Sequence, residues 1–477
     1  MAAAFAARLR FAKKKGRSEE RLIMKNRNTN DRYTKHMFSN AQIRALLIPL
    51  MIEQLLNCLM GMADTLMISN VGPVAMSAVS LVDSVNILFI QAFSALAAGG
   101  SIVCSQYIGK KDGEKANQSA RQMLLAVFMI SAFIMLICLA GNRRLLGLVF
   151  GKVENAVMDA SVTYFFYTAL SFPFIGLYNA GAAIYRSQGN SKRPMTISVI
   201  SNFLNIGGNA FFIWVLHLGV AGVAIATLAS RAFCAVVVLW YLRRPGQMIC
   251  VRDYLKIRPD RKLIMKVLSV GVPSGIENGM FQFGKLAIQS TVSTMGTAVI
   301  AAQAMVNILE ILNGIMAMGI GTGMITIIGQ CIGAGEKEEA VYYIKKITLW
   351  AEICMIANCL LVYAAARPVT VIGAMEPESA ALCIAMMGWI TIFKPLFWVP
   401  AFVPAYGMRA AGDVNFFMGM SIAAMWICRV SLCLLLVHVF RFGLIAVWIG
   451  MFADWGVRAV ICSLRFKSGK WMEHKVV

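Results

Sequence analysis

The sequence predicts an all-α integral membrane protein with twelve transmembrane helices in two pseudo-symmetric six-helix bundles. Three observations predict it. Hydrophobic residues make up 59% of the 477 and charged residues only 14%, against roughly 25% charged in an ordinary soluble domain. The apolar residues fall in runs of about 20 or more, the length that crosses about 30 Å of hydrocarbon. Finally, the chain repeats itself. Pro49, Glu53, Gly72, Gln106, Gly109 and Gly219 return 224 residues later as Pro273, Glu277, Gly296, Gln330, Gly333 and Gly443. Arg186 and Gly189 return as Arg409 and Gly412, one residue short of that offset.

In chain order the spans cover 44–67, 75–105, 120–140, 158–185, 194–217 and 220–242 in the first half. They cover 268–292, 298–330, 347–366, 380–408, 415–438 and 443–464 in the second. Short connections carrying Gly72, Gly219, Gly296 and Gly443 separate the spans on one face. Basic connections 109–121, 186–193 and 335–346 separate them on the other. The second, fourth, eighth and tenth spans read long, which implies tilt or extension beyond the bilayer. Six spans return the chain to its starting side, so the halves share one orientation, as in parallel-repeat transporters. The predicted organisation is a disordered basic tail over 1–40, a bundle over 41–242, a linker over 243–266, a second bundle over 267–464 and a tail over 465–477.

A net charge of +22 raises the question of a nucleic-acid partner, and the distribution of charge answers it. Of 45 Lys and Arg, 35 fall on the tails, the linker and the basic connections. Five (Arg143, Arg144, Lys152, Arg367, Arg441) fall on the opposite face, and Arg231, Lys285, Lys394, Arg429 and Arg458 lie in spans. This is a positive-inside pattern, which places both termini in the cytoplasm of a multi-pass cell-membrane (plasma or inner-membrane) protein. The basic face meets anionic lipid, and no nucleic-acid partner is expected. Twelve scattered cysteines without metal-ligand spacing predict neither disulfides nor a metal centre. His36, His217, His438 and His474 lie outside spans or at their ends, which argues against a histidine relay at the membrane centre.

The repeated pieces carry a family resemblance. ADTLMISNVGPVAMSAVSL (63–81), SQYIGKKDGEKA (105–116) and RSQGNSKRPM (186–195) resemble the multidrug and toxic compound extrusion (MATE) family. So do TAVIAAQAMVNI (297–308), GQCIGAGEKEEA (329–340) and MRAAGD (408–413). The resemblance covers residues 40–466. It implies a monomeric efflux antiporter with two bundles in a V shape, exchanging H⁺ or Na⁺ for organic cations or amphiphilic, drug-like small molecules by alternating access. Lipid-linked saccharide flippases of the same superfamily are the nearest alternative, and a passive channel is a further one. No cofactor is expected beyond the coupling ion.

Charge at membrane depth costs roughly 2.5–3.5 kcal/mol per residue on insertion scales, so each such residue needs a reason. Asp64 lies near the end of the first span. A carboxyl shielded from water resists ionising, which makes Asp64 a candidate proton carrier. With extra oxygen ligands it could instead hold Na⁺, or as an interfacial residue it could simply cap a helix end. The resemblance makes Asp64 the coupling residue and adds Asn179, Asn205, Asn209 and Thr227 as its partners. Asn205 and Asn209 are four apart and share a helix face. Relatives often carry Asp at the Asn209 position, so this site is left with one carboxylate instead of two. Each of these polar residues could equally serve as interhelical glue. The resemblance also assigns a hinge to Pro49, since a proline inside a helix removes a hydrogen bond.

The second half offers Glu277, Lys285, Glu310 and Lys394 as lining of a second-lobe cavity. The competing reading is an ion pair of Lys394 with Glu277 or Glu310, since intramembrane charges usually pair. Glu53, Asp83 and Asn86 are further candidates for which no motif decides between cavity and packing. There is no phosphate-binding G-x-x-x-x-G-K-[ST] and no H-E-x-x-H, and no G-x-S-x-G elbow. The sequence therefore points away from an enzyme and from ATP-driven pumping, and towards an ion gradient as the energy source.

Overall fold

The computed structural model describes residues 36–151, 153–254, 257–474 and 476–477. The tail expected over 1–40 lies outside the described residues as far as residue 35. The described residues divide into two units, one ending at Ile43 and one running from Arg44 to Val477. In the first, Ser39 and Gln42 cap reciprocally. The Gln42 N–H donates to Ser39 Oγ at 3.2 Å, and the Ser39 N–H donates to Gln42 Oε1 at 2.8 Å. That S-x-x-Q box starts the first helix, α1 (Asn40–Ser69).

The remaining helices run in chain order. The first half holds α2 (Pro73–Gly109), α3 (Gly113–Phe150), α4 (Asn155–Leu170), α5 (Phe172–Ser187), α6 (Lys192–Ala210) and α7 (Gly219–Leu242). The second holds α8 (Arg261–Val292), α9 (Thr297–Ala334), α10 (Lys337–Ile372), α11 (Pro377–Phe393), α12 (Val399–Ala410), α13 (Val414–Ala423), α14 (Leu432–His438) and α15 (Leu444–Ser468). There is no strand among the described residues. Among the described residues ten helices or helix runs are long and apolar enough to cross a bilayer, and the bent pair α4–α5 makes eleven. The remaining helix of membrane-spanning length, α8, carries Glu277, Asn278 and Gln282 at its centre, which lowers its apolar character.

Local chemistry sets the boundaries. Gly72 and Gly296 precede α2 and α9 at φ +129° and +98°, backbone that disfavours a side chain in both copies of the repeat. Asp112 caps α3 by accepting the Lys115 N–H at 3.0 Å, and Asp260 caps α8 through the Lys262 N–H at 2.9 Å.

Two of the four spans expected to be long are instead interrupted. The fourth bends by 41° between α4 and α5, where Pro173 sits in the first turn of α5. The tenth is broken by a π-helical turn, Lys394–Trp398, that contains Pro395. The other long helices are α3 and α10, which continue through polar residues beyond the apolar runs. Two more π-helical segments occur, Phe211–Val215 after α6 and Ala424–Ser431 between α13 and α14.

The core falls into three clusters, one of which also takes in Leu263 and Val267 of α8. Met123, Ile184, Tyr185 and Val238 anchor one cluster of the first half, and Phe93, Phe165 and Phe172 a second. Trp448, Met387, Ile390 and Trp455 anchor the second half. Large apolar side chains such as Leu66, Phe203 and Val371 face outwards, as lipid-facing positions do.

The halves meet where α2 packs on α8 and α9. Gly109 and Gly333, repeat mates, lie where α2 and α9 cross. A Cβ on Gly109 would overlap the Gln330 carbonyl, and one on Gly333 the Gln106 carbonyl. Their neighbours bond across the seam in the same duplicated way. Gln106 Nε2 donates to the Ala410 carbonyl at 2.8 Å, and Gln330 Nε2 donates to the Ser187 carbonyl at 2.7 Å.

Candidate functional site

Asp64 lies on α1, and its Oδ1 accepts the Asn209 amide at 2.8 Å. Asn209, the penultimate residue of α6, is fully buried and precedes a π-helical segment. Such widened turns re-aim side chains and are frequent at functional sites. The same Asn209 amide donates to Asn205 Oδ1 at 3.1 Å. Asn205 in turn donates to Thr227 Oγ1 at 3.3 Å and Ser230 Oγ at 3.4 Å on α7. The i, i+4 spacing of Asn205 and Asn209 on α6 lets one helix relay contacts from α1 to α7. Asn209 Oδ1 is buried and takes no hydrogen bond. A free acceptor beside a carboxylate is suited to a carboxyl proton or a hard cation.

The cluster is larger than its sequence motif. Asp83 on α2 accepts from Asn86 Nδ2 and from the Tyr164 hydroxyl, each at 3.3 Å. Asp64, Asp83 and Arg231 on α7 lie within mutual electrostatic reach. The Arg231 guanidinium is held by Ser171 Oγ at 2.7 Å. Asp83 on α2 thus brings a further acid, and Arg231 a cation, into the neighbourhood of Asp64. Among the described residues no hydrogen bond joins Asn179, half-buried on α5, to this chain. Pro49 lies inside α1, fifteen residues before Asp64, and Pro273 lies inside α8.

In the second half the charges resolve into pairs. Lys394, 1% exposed, meets Glu310 Oε1 at 2.5 Å from within its π-helical turn. Glu277 pairs with Arg409 at 2.6 Å, not with Lys394. Its repeat mate Glu53 pairs with Arg186 at 2.7 Å and lies 3.4 Å from the Tyr178 hydroxyl. Arg186 and Arg409 look like loop residues in the sequence, yet they occupy the last turns of α5 and α12 and reach back into the bundles. The repeat contains both ends of both pairs, and that is the signal by which they could be found. A further buried pair, Asp454 with Arg458 at 2.7 Å, has Arg429 at 3.8 Å. Asp454 is a single acid in an apolar run with no motif around it. Lys285 makes no ion pair among the described residues. Its ammonium lies 5.1 Å from the centroid of Phe281.

No group of three or more His, Cys, Asp or Glu among the described residues could hold a metal ion. All twelve cysteines are free thiols.

Comparison with known proteins places this geometry. The MatE family model matches residues 49–211 and 273–435, two segments that are themselves 224 residues apart. The uncharacterized transporter YisQ of Bacillus subtilis is 26% identical over 89% of this chain and 93% of its own length. The "Probable multidrug resistance protein NorM" of Thermotoga maritima is 25% identical over 91% and 93%. A crystal structure of MATE in the bent conformation superimposes with a TM-score of 0.80 at 22% identity, covering 90% of this chain and 96% of the other.

Proposed function

The chain belongs to the MatE family of membrane-spanning efflux transporters, and from that premise we propose that it is an ion-coupled antiporter. It exports amphiphilic small molecules in exchange for H⁺ or Na⁺, and Asp64 carries the coupling ion. The single observation that supports this reading is the Asp64–Asn209–Asn205–Thr227 chain. It offers one half-buried carboxylate, a buried unpartnered acceptor beside it and a route of polar contacts across three helices.

The proposed cycle follows from that chain. Ion binding neutralises Asp64, which removes the acceptor charge from the Asn209 amide and loosens the tie between α1 and α6. Pro49 lets α1 bend, since the hydrogen bond it lacks would otherwise resist. Asp83 and Arg231 set the local field, so the cluster changes net charge by one when the ion is bound. Cargo and ion then alternate because each favours a different arrangement of the first bundle. The exchange itself is what an assay detects.

The test is drug-dependent ion counterflow in sealed proteoliposomes, at fixed membrane potential, with and without Na⁺ across a pH series. The reading predicts stoichiometric exchange in the wild type, and none in Asp64→Asn purified with an unchanged unfolding midpoint. Normal uphill export by Asp64→Asn overturns it, as does passive flux unlinked to any ion.

A further inference from the structure

We infer that the second half carries an anion subsite at Lys285 and Arg429, so that the exported molecule bears a carboxylate or phosphate on an apolar body. This rests on the antiporter reading above and adds the class of cargo.

The charges around this region do not balance. Among the described residues, Lys394, Arg429 and Arg458 make ion pairs with two acids, Glu310 and Asp454, and Lys285 on α8 makes none. Each acid is already engaged at close range, Glu310 by Lys394 at 2.5 Å and Asp454 by Arg458 at 2.7 Å. Glu277, on the same helix as Lys285, is held by Arg409 at 2.6 Å. Arg429 shares Asp454 with Arg458, its Nη1 3.8 Å from Asp454 Oδ2, so one acid serves two arginines and Lys285 has no acid of its own. Lys285 and Arg429 both sit against one ring, with the Lys285 ammonium 5.1 Å and the Arg429 guanidinium 5.2 Å from the Phe281 centroid.

Two cations over one aromatic ring gain some attraction from its face, yet they repel each other. An intramembrane cation ordinarily has a counter-charge. Arg429 is 5% exposed, its Nε is buried without a partner, and its remaining contacts are Met425 Sδ at 3.9 Å and Asp454 at 3.8 Å. That leaves the Nε–H of a planar donor fork, the geometry that matches carboxylate and phosphate oxygens, without an acceptor. Lys285 is exposed while Arg429 is buried, so the pair has one open member. An acid group between them would supply the missing charge, with Phe281 against the apolar part of the same molecule.

The repeat shows that this charge is particular to the second half. At the 224-residue offset, Arg429 and Asp454 correspond to Asn205 and Ser230, which hydrogen-bond to each other at 3.4 Å. Lys285 corresponds to Gly61. The first half keeps the same contact neutral and places acids at Asp64 and Asp83. One molecule thus has an acidic half and a basic half.

The test compares rhodamine B, a zwitterion with a free carboxylate, with its ethyl ester, a cation otherwise alike. Binding to the full chain in nanodiscs is followed by fluorescence polarisation. The acid is expected to bind at least about tenfold tighter than the ester, the scale of one charge-assisted contact. Lys285→Gln and Arg429→Gln should each abolish that preference, and Lys285→Arg should restore it, with unfolding midpoints confirming that the variants are folded. Equal affinities, no binding of the acid, or a preference that survives both substitutions overturns the inference. So does a preference that disappears when phosphatidic acid is added to the nanodiscs, because the site then belongs to lipid. Uphill export of the ester without any acid preference sinks the anion subsite and leaves the antiporter standing. Failure to move either dye under an imposed ion gradient sinks the antiporter reading itself.

Discussion

At the scale of single residues, a buried polar atom matters most where its partner is charged. Asn209 gives its amide to Asp64 at 2.8 Å, and a hydrogen bond to a charged group contributes roughly 1.5–3 kcal/mol. Asn209→Ala should therefore reduce coupled transport by about tenfold or more while the fold persists. Initial exchange rates in proteoliposomes check it. Glu310 and Lys394 make a different kind of contact. Removing one member of a buried pair strands the other charge at a cost of about 3–5 kcal/mol, whereas replacing both with apolar residues is often neutral. Glu310→Leu alone should lower the unfolding midpoint in detergent sharply, and Glu310→Leu with Lys394→Met should recover most of it. These residues were unequally legible in the sequence. Asp64 stood out as a carboxylate in an apolar run within a family motif, and the four-residue spacing of Asn205 and Asn209 showed their common face. Arg186 and Arg409 were hidden because a cation at a helix end reads as a loop residue until its acid is located. Asp83 and Arg231 carried no pattern, since their partnership with Asp64 depends on how three helices are placed.

At the scale of helices, the sequence shows where the apolar runs lie and leaves open how they bend. Hydropathy has no term for a widened turn, and three π-helical segments lie in the fifth, tenth and eleventh spans. Two of them contain Lys394 and Arg429, and the third follows Asn209 by two residues. The reason is physical. One extra residue per turn rotates a side chain towards the bundle interior without ending the helix. α8 is a case where the span 268–292 was legible in spite of the polar residues at its centre, and the helix runs on at its start to Arg261. The crossing of α2 and α9 yields a prediction at this scale. Adding a methyl at Gly333 forces the helices apart against the Gln106 backbone, and overpacking of this kind costs about 1–3 kcal/mol. Gly333→Ala should lower the unfolding midpoint, and Gly109→Ala should do so equally, because the repeat makes the two contacts equivalent. Gly147, with nothing within 4 Å of an added Cβ, is the control and should tolerate alanine.

At the scale of the whole molecule, the duplication divides labour. The structural contacts are duplicated: Glu53–Arg186 and Glu277–Arg409 within each half, and Gln106 with Gln330 and Gly109 with Gly333 across the seam. The other intramembrane charges are not. Asp64 aligns with Ile288 and Asp83 with Asn307, so the acid cluster belongs to the first half alone. A symmetric frame with an asymmetric trigger is what a device needs if one ion in one bundle is to bias both. The central claim is that the charge on Asp64 decides which arrangement of the halves is favoured. Leu148 and Ile372, repeat mates on α3 and α10, are 85% and 84% exposed and can carry spin labels once the native cysteines are replaced. The distance distribution between them, measured by pulsed electron resonance across a pH series with and without Na⁺, tests the claim directly. The account predicts that the wild type shifts between two distributions as ion is added, and that Asp64→Asn stays in the ion-bound distribution throughout. An Asp64→Asn variant that shifts as the wild type does would contradict it.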